Sequence, residues 1–371
     1  MTALALSSLS REELRRWLEE RGHPAYRADQ IRRHMLRAGE GGFASMSDLP
    51  LQLRTELEES AVWSSLEVLA ETAADRGLTQ KLLLRTEAGH ELEAVMITHP
   101  ARDGSRGRRT VCVSSQAGCA IGCVFCATGR LGLRANLTAA EIVDQVLEAA
   151  RRWDAESLGR PTNVVLMGMG EPLQNYRQVV LAIHLLHGWG IYPRQVVLST
   201  SGLVPEILRL AEEGLGVRLA ISLHATHDEL RDRLVPINRR FPIASLLDAA
   251  REYAAASGRR VTLEYVLIKG VNDDPGAARR LGQMAASIRG HVNLIPMNAI
   301  PGSDLRAPSP AACRDFAALV GPRATIRHSR GDRATAACGQ LRASLTPEPR
   351  REGRILAREL ALVGSPSGPP A

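Results

Sequence analysis

The sequence contains few lysines, few aromatic residues and no long apolar run, and these shortages exclude several classes of protein. No stretch of about 18 apolar residues occurs, which argues against a membrane-spanning helix. The N-terminus, MTALALSSLSREELRRW, lacks a basic start and a small-residue cleavage site, which argues against a secretory signal. With 44% hydrophobic and 23% charged residues, the 371-residue chain is predicted to fold around a sizeable core. We therefore expect a cytoplasmic protein without membrane contact.

Lysine occurs only twice among the 47 basic residues, as Lys81 and Lys269. The net charge of +7 is compatible with a polyanionic partner such as nucleic acid. A GC-rich genome explains the preference for arginine equally well, so the charge alone leaves the partner open. Aromatic residues make up only 4% of the chain, which argues against an extensive surface for stacking bases.

Half of the six cysteines fall in one short segment, VSSQAGCAIGCVFCATGRLG. Cys119, Cys123 and Cys126 form a C-x3-C-x2-C pattern, and in a chain without an export signal this indicates metal binding or catalysis. The three thiols could bind zinc, with His224 or Cys338 as a fourth ligand. They could also bind an iron–sulfur cluster that leaves one iron open for a small molecule. The full set of cysteines is Cys112, Cys119, Cys123, Cys126, Cys313 and Cys338.

The first 60 residues have a helical pattern. Ser10 and Glu13 predict a capping box at the start of one helix. A basic helix is predicted to end at Gly39, and Pro50 predicts the start of a third helix. The segments QKLLLRT and HELEAVMIT are then predicted to pair as a β-hairpin.

From about residue 108 short apolar runs alternate with helical segments such as 139–153, 204–214 and 243–256. This alternation predicts a parallel sheet, and six strands favour a partial six-fold β/α barrel over a closed eight-fold one. A doubly wound sheet is the alternative, and ATIRHSRG (324–331) is a candidate edge strand. The apolar runs are TVCVS (110–114), NVVLMG (163–168), QVVLST (195–200), VRLAISL (217–223), VTLEYVLI (261–268) and HVNLIP (291–296).

The predicted fold is therefore α/β, with an N-terminal helical accessory domain and a short β-rich connector before the barrel. Unusual polar segments follow the predicted strands, where chemistry gathers in such folds. We expect them to form one shared site. The segments are the cysteine loop, GMGEP (168–172), STSG (199–202), SLHA (222–225) and PMN (296–298). The predicted divisions are 1–60 for the helical accessory domain, 61–104 for the connector, 105–340 for the barrel domain and 341–371 for a mobile tail.

The cysteine pattern, with Phe125 before its last cysteine, resembles the cluster motif of radical S-adenosylmethionine (SAM) enzymes. Seven segments in order resemble the RlmN-type family of adenine-C2 RNA methyltransferases, from about residue 8 to residue 345. The segments are GCAIGCVFCATG, NVVLMGMGEPLQN, LSTSGLVP, AISLHATHDELRDRLVPIN, LEYVLIKGVND, NLIPMN and RGDRATAACGQL. The resemblance implies that Cys119, Cys123 and Cys126 ligate a [4Fe–4S] cluster, with SAM on the fourth iron.

The same resemblance implies roles for further residues. Cys338 would carry a methyl group from one SAM, lose a hydrogen to the radical made from a second SAM, and join adenine C2 covalently. Cys112 would resolve this adduct by forming a disulfide with Cys338, and Glu93 would accept the C2 proton. Cys313 has no implied role and is interpreted as structural. The implied SAM contacts are Gly170, Glu171, Ser199, Ser222, Leu223, His224 and Asn298.

The implied substrate is an adenosine of 23S rRNA, and some members of the family also modify tRNA. The implied partners include an electron donor such as flavodoxin or ferredoxin, and we expect a monomer. Candidate phosphate contacts are Arg27, Arg32, Arg33, Arg37, Arg108 and Arg109.

The chain departs from the family pattern at two places. Leu133 and Ala135 replace an aromatic residue and an arginine, and Arg333 and Thr335 stand where acidic residues are common. Three alternative functions are left open at this stage. They are methylation of adenine carbon 8, a radical SAM reaction on a protein or metabolite, and zinc-dependent RNA binding without catalysis.

Overall fold

The structure, a computed structural model, describes residues 4–37, 42–101, 107–327, 336–341 and 360. Gly39, Arg333, Thr335 and most of the predicted tail lie outside these residues, so the expectations placed on Arg333, Thr335 and the tail stay predictions. The described helices are α1 (Arg11–Glu19), α2 (Arg27–His34), α3 (Leu51–Ser60), α4 (Ala139–Ala155), α5 (Tyr176–Gly188), α6 (Val204–Glu212), α7 (Asp228–Leu234), α8 (Ile243–Ser257), α9 (Pro275–Ser287) and α10 (Pro310–Val320).

The described strands divide into one large sheet and two small pairs. They are β1 (Leu4–Ala5), β2 (Ala61–Val62), β3 (Leu66–Ala74), β4 (Thr79–Thr86), β5 (Glu91–His99), β6 (Arg108–Cys112), β7 (Gln116–Cys119), β8 (Gly132–Asn136), β9 (Asn163–Leu166), β10 (Val196–Thr200), β11 (Arg218–Ser222), β12 (Thr262–Leu267), β13 (His291–Pro296) and β14 (Ala324–Ile326). Strands β1 and β2 pair with each other, as do β7 and β8.

The large sheet has the order β14-β13-β12-β11-β10-β9-β6-β5-β4-β3. Strands β6 and β9 to β14 are parallel and follow chain order, which confirms the six predicted strands and the edge strand at 324–326. A doubly wound sheet would reverse its order at a switch point, and the described strands show no such reversal. The predicted hairpin is also confirmed, and β5 pairs antiparallel with β6, so the connector strands continue the barrel sheet.

A helix precedes each parallel strand from β9 to β14, because parallel neighbours need a crossover between them. Helix α4 illustrates the packing. Thr138 and Glu141 form its capping box, and its buried face includes Ile142 and Val146.

Alternate side chains of the sheet surround one interior cavity of about 660 Å³. Side chains two residues apart point to the same face of a strand. The cavity lining includes residues from β5 and from β14, which are separated by the six strands between them. A flat sheet could not place these strands around one cavity, so the sheet curves into a partial barrel. The lining includes Val95, Ile97, Thr110, Cys112, Thr262, Glu264, His291, Asn293 and Thr325.

The N-terminal region is helical as predicted, and its capping box is present. Ser10 Oγ accepts a hydrogen bond from Glu13 N at 3.2 Å, and Ser10 N donates to Glu13 Oε2 at 2.8 Å. The predicted helix end at Gly39 is wrong, because α2 ends at His34. The amides of Leu36 and Arg37 bond carbonyls three residues back, which tightens the last turn.

Arg32 is one of the predicted RNA contacts, and this prediction is wrong. The side chain is only 7% exposed, and its guanidinium lies 3.7 Å from the centre of the Trp189 ring. The cation–π contact therefore joins α2 to the segment after α5. Arg109 is half-buried and donates to Arg160 O at 2.7 Å, so Arg108 is the more exposed of that pair.

No helix among the described residues has the length and apolar character needed to cross a bilayer.

Candidate active site

A cavity of about 160 Å³ lies at the carboxyl ends of the parallel strands. It adjoins the larger interior cavity, because Met167, Glu264, Ile295, Asn298, Arg327 and Cys338 line both. The structure thus brings together the segments that the sequence placed after different strands. The predicted site residues in this lining are Cys119, Cys123, Cys126, Gly170, Glu171, Ser199, Ser222, His224, Asn298 and Cys338.

The cysteine loop begins in the ribbon formed by β7 and β8. A Cβ atom at Gly118, where φ is +78°, would lie 1.9 Å from Gly132 O, so only glycine allows the strands to approach this closely. Farther along the loop, Ala127 N donates to Gly339 O at 2.7 Å. The loop is therefore attached to the C-terminal segment that carries Cys338.

Burial controls the acidity of the three loop thiols. It raises the pKa of Cys119 to about 12 and also raises those of Cys123 and Cys126. Thiols in such surroundings stay neutral unless a bound metal supplies compensating positive charge. The loop therefore has the chemistry of a metal-ligand set that is deprotonated on binding.

The three loop thiols all lie on the wall of the 160 Å³ cavity. A closed structural zinc site takes four protein ligands, so these thiols would need a fourth. In a cubane cluster each cysteine binds a different iron, so three cysteines leave one iron open to a small molecule. The donor set therefore fits an iron–sulfur cluster with three protein ligands.

Glu171 lies on the wall of the 160 Å³ cavity and is only 3% exposed. Its Oε2 accepts hydrogen bonds from Ser201 N and Ser201 Oγ, both at 2.7 Å, and Oε1 accepts one from Leu173 N at 3.0 Å. Burial raises its pKa, and these donors partly offset the rise. The carboxylate is thus held in one orientation at the cavity.

Gly170, beside this glutamate, is closely packed. Its φ is +100°, and a Cβ there would lie 2.6 Å from Gln116 Cβ. Gln116 Oε1 in turn accepts a hydrogen bond from Glu171 N at 2.8 Å. The position therefore requires both a left-handed backbone and the absence of a side chain.

Replacing Gly170 by alanine is expected to lower the free energy of unfolding by about 2–4 kcal/mol, because backbone strain adds to overpacking against Gln116. The matched control is Gly190→Ala, where φ is +86° and nothing lies within 4 Å of the added Cβ. It should lose only about 1 kcal/mol. Urea unfolding of the cluster-free proteins measures both values, and equal losses would contradict the packing argument.

His224 lines the cavity in a conformation unusual for a residue with a side chain, with φ of +60°. Its Nδ1 accepts a hydrogen bond from Val266 N at 3.0 Å, and its ring meets the Phe125 ring edge-on at 4.6 Å. Burial lowers its pKa to about 3. The ring is therefore neutral and carries its proton on Nε2, which leaves a hydrogen-bond donor at the cavity.

Ser199 and Ser222 also line this cavity, whereas Leu223 does not line either cavity. Leu223 is fully buried, and its amide donates to Glu264 O at 3.0 Å. Its role in SAM binding stays a prediction.

Cys338 and Cys112 both line the 660 Å³ cavity. Asn298 Nδ2 donates to Cys338 O at 2.9 Å, which holds the C-terminal segment against the end of β13. Cys112 is 8% exposed, and burial raises its pKa to about 12, with Cys338 as a further cause and Arg327 opposing the rise.

Glu93 is fully buried and forms an ion pair with Lys81, whose Nζ lies 2.8 Å from Glu93 Oε1. It lies on the interior face of β5, two residues from Val95, which pairs with Cys112. Neither Glu93 nor Lys81 is among the residues that line the two cavities. The proton-accepting role of Glu93 therefore stays a prediction.

Sequence reasoning missed Glu264 and Arg327, which line both cavities. Glu264 is buried and accepts a hydrogen bond from Asn293 Nδ2 at 2.8 Å. One acidic residue in the apolar run TLEYVL was a signal that could have identified Glu264. Arg327 offered no comparable signal, because many arginines surround it in the sequence.

Two family models match the chain. Residues 113–281 match the radical SAM superfamily, and residues 4–62 match the ribosomal RNA large subunit methyltransferase N-terminal domain. The first range contains the three clustered cysteines and the second contains α1 to α3.

Relatives match over nearly the whole length. A protein of Parafrankia sp. (strain EAN1pec) is 46% identical over 370 residues, covering 94% of this chain and 94% of the relative. A protein of Moorella thermoacetica is 46% identical over 348 residues, and the match covers 92% of this chain and 98% of the relative. Both are named probable dual-specificity RNA methyltransferase RlmN. The structures can be compared as well. The crystal structure of a radical SAM methyltransferase from Sphaerobacter thermophilus superposes on this chain with a TM-score of 0.85. The two sequences are 45% identical, and the match covers 92% of this chain and 99% of that chain.

Proposed function

The chain belongs to the RlmN family of radical SAM RNA methyltransferases, and on this premise we propose that it methylates carbon 2 of adenosine in 23S rRNA and in tRNA. As a radical SAM enzyme it uses a [4Fe–4S] cluster and SAM. The relatives' description as dual-specificity enzymes supports both RNA substrates. The family and fold leave the zinc-dependent RNA-binding alternative without support.

One observation carries the proposal. Cys338 lines both the cavity that contains the cluster cysteines and the interior cavity that contains Cys112. A thiol that carries a methyl group must reach SAM on one side and a second thiol on the other. The position of Cys338 on the walls of both cavities supports a methyl-carrier role.

The residues around the smaller cavity suit the cluster and SAM. Cys119, Cys123 and Cys126 would hold the cluster, and the buried Glu171 carboxylate suits the methionine ammonium of SAM. When bound, the reduced cluster and SAM supply a 5′-deoxyadenosyl radical, which is needed because adenine C2 has a hydrogen and no lone pair. The neutral His224 can donate one hydrogen bond to a ligand there.

Cys338 performs the first step. Its Sγ attacks the methyl group of one SAM, forming an S–CH3 bond and releasing S-adenosylhomocysteine. The S-methyl group then loses a hydrogen atom to the 5′-deoxyadenosyl radical, which becomes 5′-deoxyadenosine and leaves a carbon radical on the Cys338 side chain. This carbon bonds to adenine C2, and the ring loses its C2 proton to Glu93. The surplus electron would return to the cluster, which SAM cleavage had left oxidised.

Cys112 completes the reaction. Its thiolate attacks Cys338 Sγ, forming the S–S bond while the S–CH2 bond breaks. The electron pair of the broken bond stays on carbon, which takes a proton and becomes the RNA methyl group. Two electrons from a thiol reductant then restore both cysteines for the next turnover.

The position of the methyl group is tested by anaerobic turnover with SAM, a reductant and either 23S rRNA or tRNA. Mass spectrometry of the digested RNA should find 2-methyladenosine in both substrates. A methyl group on carbon 8 would support the alternative of C8 methylation, and an unmodified tRNA would restrict the enzyme to rRNA.

We further propose that the chain acts as a cytoplasmic monomer that receives electrons from a flavodoxin or a ferredoxin. RNA would bind partly through the accessory domain. Arg33 and Arg37 are exposed there, and the half-exposed ring of Tyr26 lies 4.9 Å from the Arg27 guanidinium. A guanidinium beside an exposed aromatic ring suits phosphate and base contacts.

The double variant Arg33→Ala/Arg37→Ala is expected to weaken RNA binding and to reduce the slope of log K against log salt by about two, one for each phosphate that is no longer neutralised. Arg251→Ala is the control, since Arg251 is exposed on α8 and pairs with Asp248 at 2.7 Å. Fluorescence anisotropy at several salt concentrations measures both slopes. Unchanged binding in the double variant would remove α2 from the RNA interface.

A further inference from the structure

Arg231 on α7 is a fully buried cation beside the proposed SAM-binding residues. In the described structure its Nε donates a hydrogen bond to Leu223 O at 3.0 Å. Its Nη2 donates to Ser201 O at 2.7 Å and to Ser222 O at 3.0 Å, and its Nη1 donates to Asn238 Oδ1 at 2.8 Å. None of these acceptors is a carboxylate. The guanidinium is therefore hydrogen-bonded to carbonyl and amide dipoles, and the Asp228 and Asp232 carboxylates act on its charge without bonding it directly.

The three carbonyl acceptors belong to the ends of neighbouring strands. Ser222 is the last residue of β11, and Ser201 directly follows β10. Ser201 also holds the carboxylate of Glu171, so the contacts extend to the segment after β9. A planar guanidinium with several fixed donors can hold such carbonyls in one arrangement, which an ammonium group cannot do as well.

Helix α7 also contacts the cysteine loop. Its last residue, Leu234, accepts a hydrogen bond from Val124 N at 3.2 Å, between two of the cluster cysteines. Burial lowers the pKa of Arg231 to about 10, and Cys123 is the largest cause opposing that change. Arg231 is therefore still a cation at neutral pH, and the helix that carries it is hydrogen-bonded to the cysteine loop.

We propose that Arg231 is a positioning residue of the radical SAM centre, which holds the ends of β10 and β11 for SAM and favours the reduced cluster through its charge. This rests on the family's assignment of a cluster to Cys119, Cys123 and Cys126. Reduction adds negative charge to a centre already bound by three thiolates. A nearby cation stabilises that reduced form more than the oxidised one.

The test compares variants of Arg231 in anaerobically reconstituted protein without RNA. The first readout is a potentiometric titration of the cluster, monitored by electron paramagnetic resonance. The second readout is the affinity for SAM. Arg231→Gln should lower the equilibrium constant for one-electron reduction at least about tenfold, which is about 59 mV. It should also weaken SAM binding about tenfold, since it removes several charge-assisted hydrogen bonds to the strand ends. Arg231→Lys keeps the charge, so it should weaken SAM binding similarly but change the reduction constant by less than about threefold.

Asn238→Ala is the matched control. It removes one acceptor of Arg231 and leaves the charge and the three carbonyl contacts in place, so both readouts should stay within about twofold. Equal behaviour of Arg231→Gln and Asn238→Ala would overturn the proposal. A different methylation position would leave these measurements intact, because no RNA is present.

Cluster-free protein provides a second measurement for variants that do not take up the cluster. Hydrogen exchange at residues 200–203 and 222–225 should be faster in Arg231→Lys than in Asn238→Ala. Equal protection of these amides in the two variants would contradict the positioning role.

Discussion

Replacing Cys338 by alanine is expected to abolish RNA methylation, with a loss on the order of a thousandfold or more. The proposed reaction transfers carbon only through the Cys338 sulfur, and among the described residues no other thiol lines both cavities. The cluster ligands and the Glu171 carboxylate are untouched by this change. Reductive cleavage of SAM to 5′-deoxyadenosine should therefore continue without coupling to RNA.

The measurement is liquid chromatography with mass spectrometry of both the RNA nucleosides and 5′-deoxyadenosine. Cys313→Ala is the control, because Cys313 is buried on α10 and lines neither cavity. It should methylate at close to the unmodified rate. Full methylation by Cys338→Ala would show that the methyl group reaches RNA without a cysteine carrier.

Replacing Cys112 by alanine is expected to trap protein and RNA as a covalent adduct. The S–CH2 bond can break only when a second thiolate attacks Cys338 Sγ, and Cys112 is the residue placed on the same cavity for that step. The burial that raises the pKa of Cys112 to about 12 keeps it as a thiol in the resting enzyme.

Denaturing gel electrophoresis with labelled RNA detects the adduct, which should survive boiling in detergent and disappear after ribonuclease treatment. The double variant Cys112→Ala/Cys338→Ala should form none, because the carbon that joins the two molecules is missing. Released 2-methyladenosine at a normal rate from Cys112→Ala would exclude this residue as the resolving thiol.

The strand order and the position of the site were predictable because they depend on local patterns. Apolar runs of the right length marked the strands, and the polar segments that followed them had to meet at one edge of a parallel sheet. The cysteine spacing predicted a candidate ligand set in the same way, and the structure places Cys119, Cys123 and Cys126 on one cavity. Each of these features depends on a short stretch of sequence.

Other features depend on partners far away in the chain. The sequence predicted Arg32 as an exposed arginine, because its contact with the Trp189 ring exists only in the folded chain. No neighbouring sequence pattern indicated that Arg231 is buried, because the carbonyls that accept its hydrogen bonds come together only in the folded sheet. The buried pair of Lys81 and Glu93 likewise requires the register of β4 against β5.

The departures at Leu133 and Ala135 are located but not explained. Both lie on β8, where Leu133 is 45% exposed and Ala135 pairs with Ala117 on the strand that carries Cys119. Nothing in the structure accounts for the replacement of an aromatic residue and an arginine there.

Turnover with SAM that carries a trideuterated methyl group tests the central claim most directly. In the proposed mechanism one deuterium is removed from the S-methyl group of Cys338, and the last hydrogen of the product comes from solvent. The predicted products are 2-methyladenosine with two deuterium atoms and 5′-deoxyadenosine with one. An RNA methyl group that keeps all three deuterium atoms would contradict the mechanism.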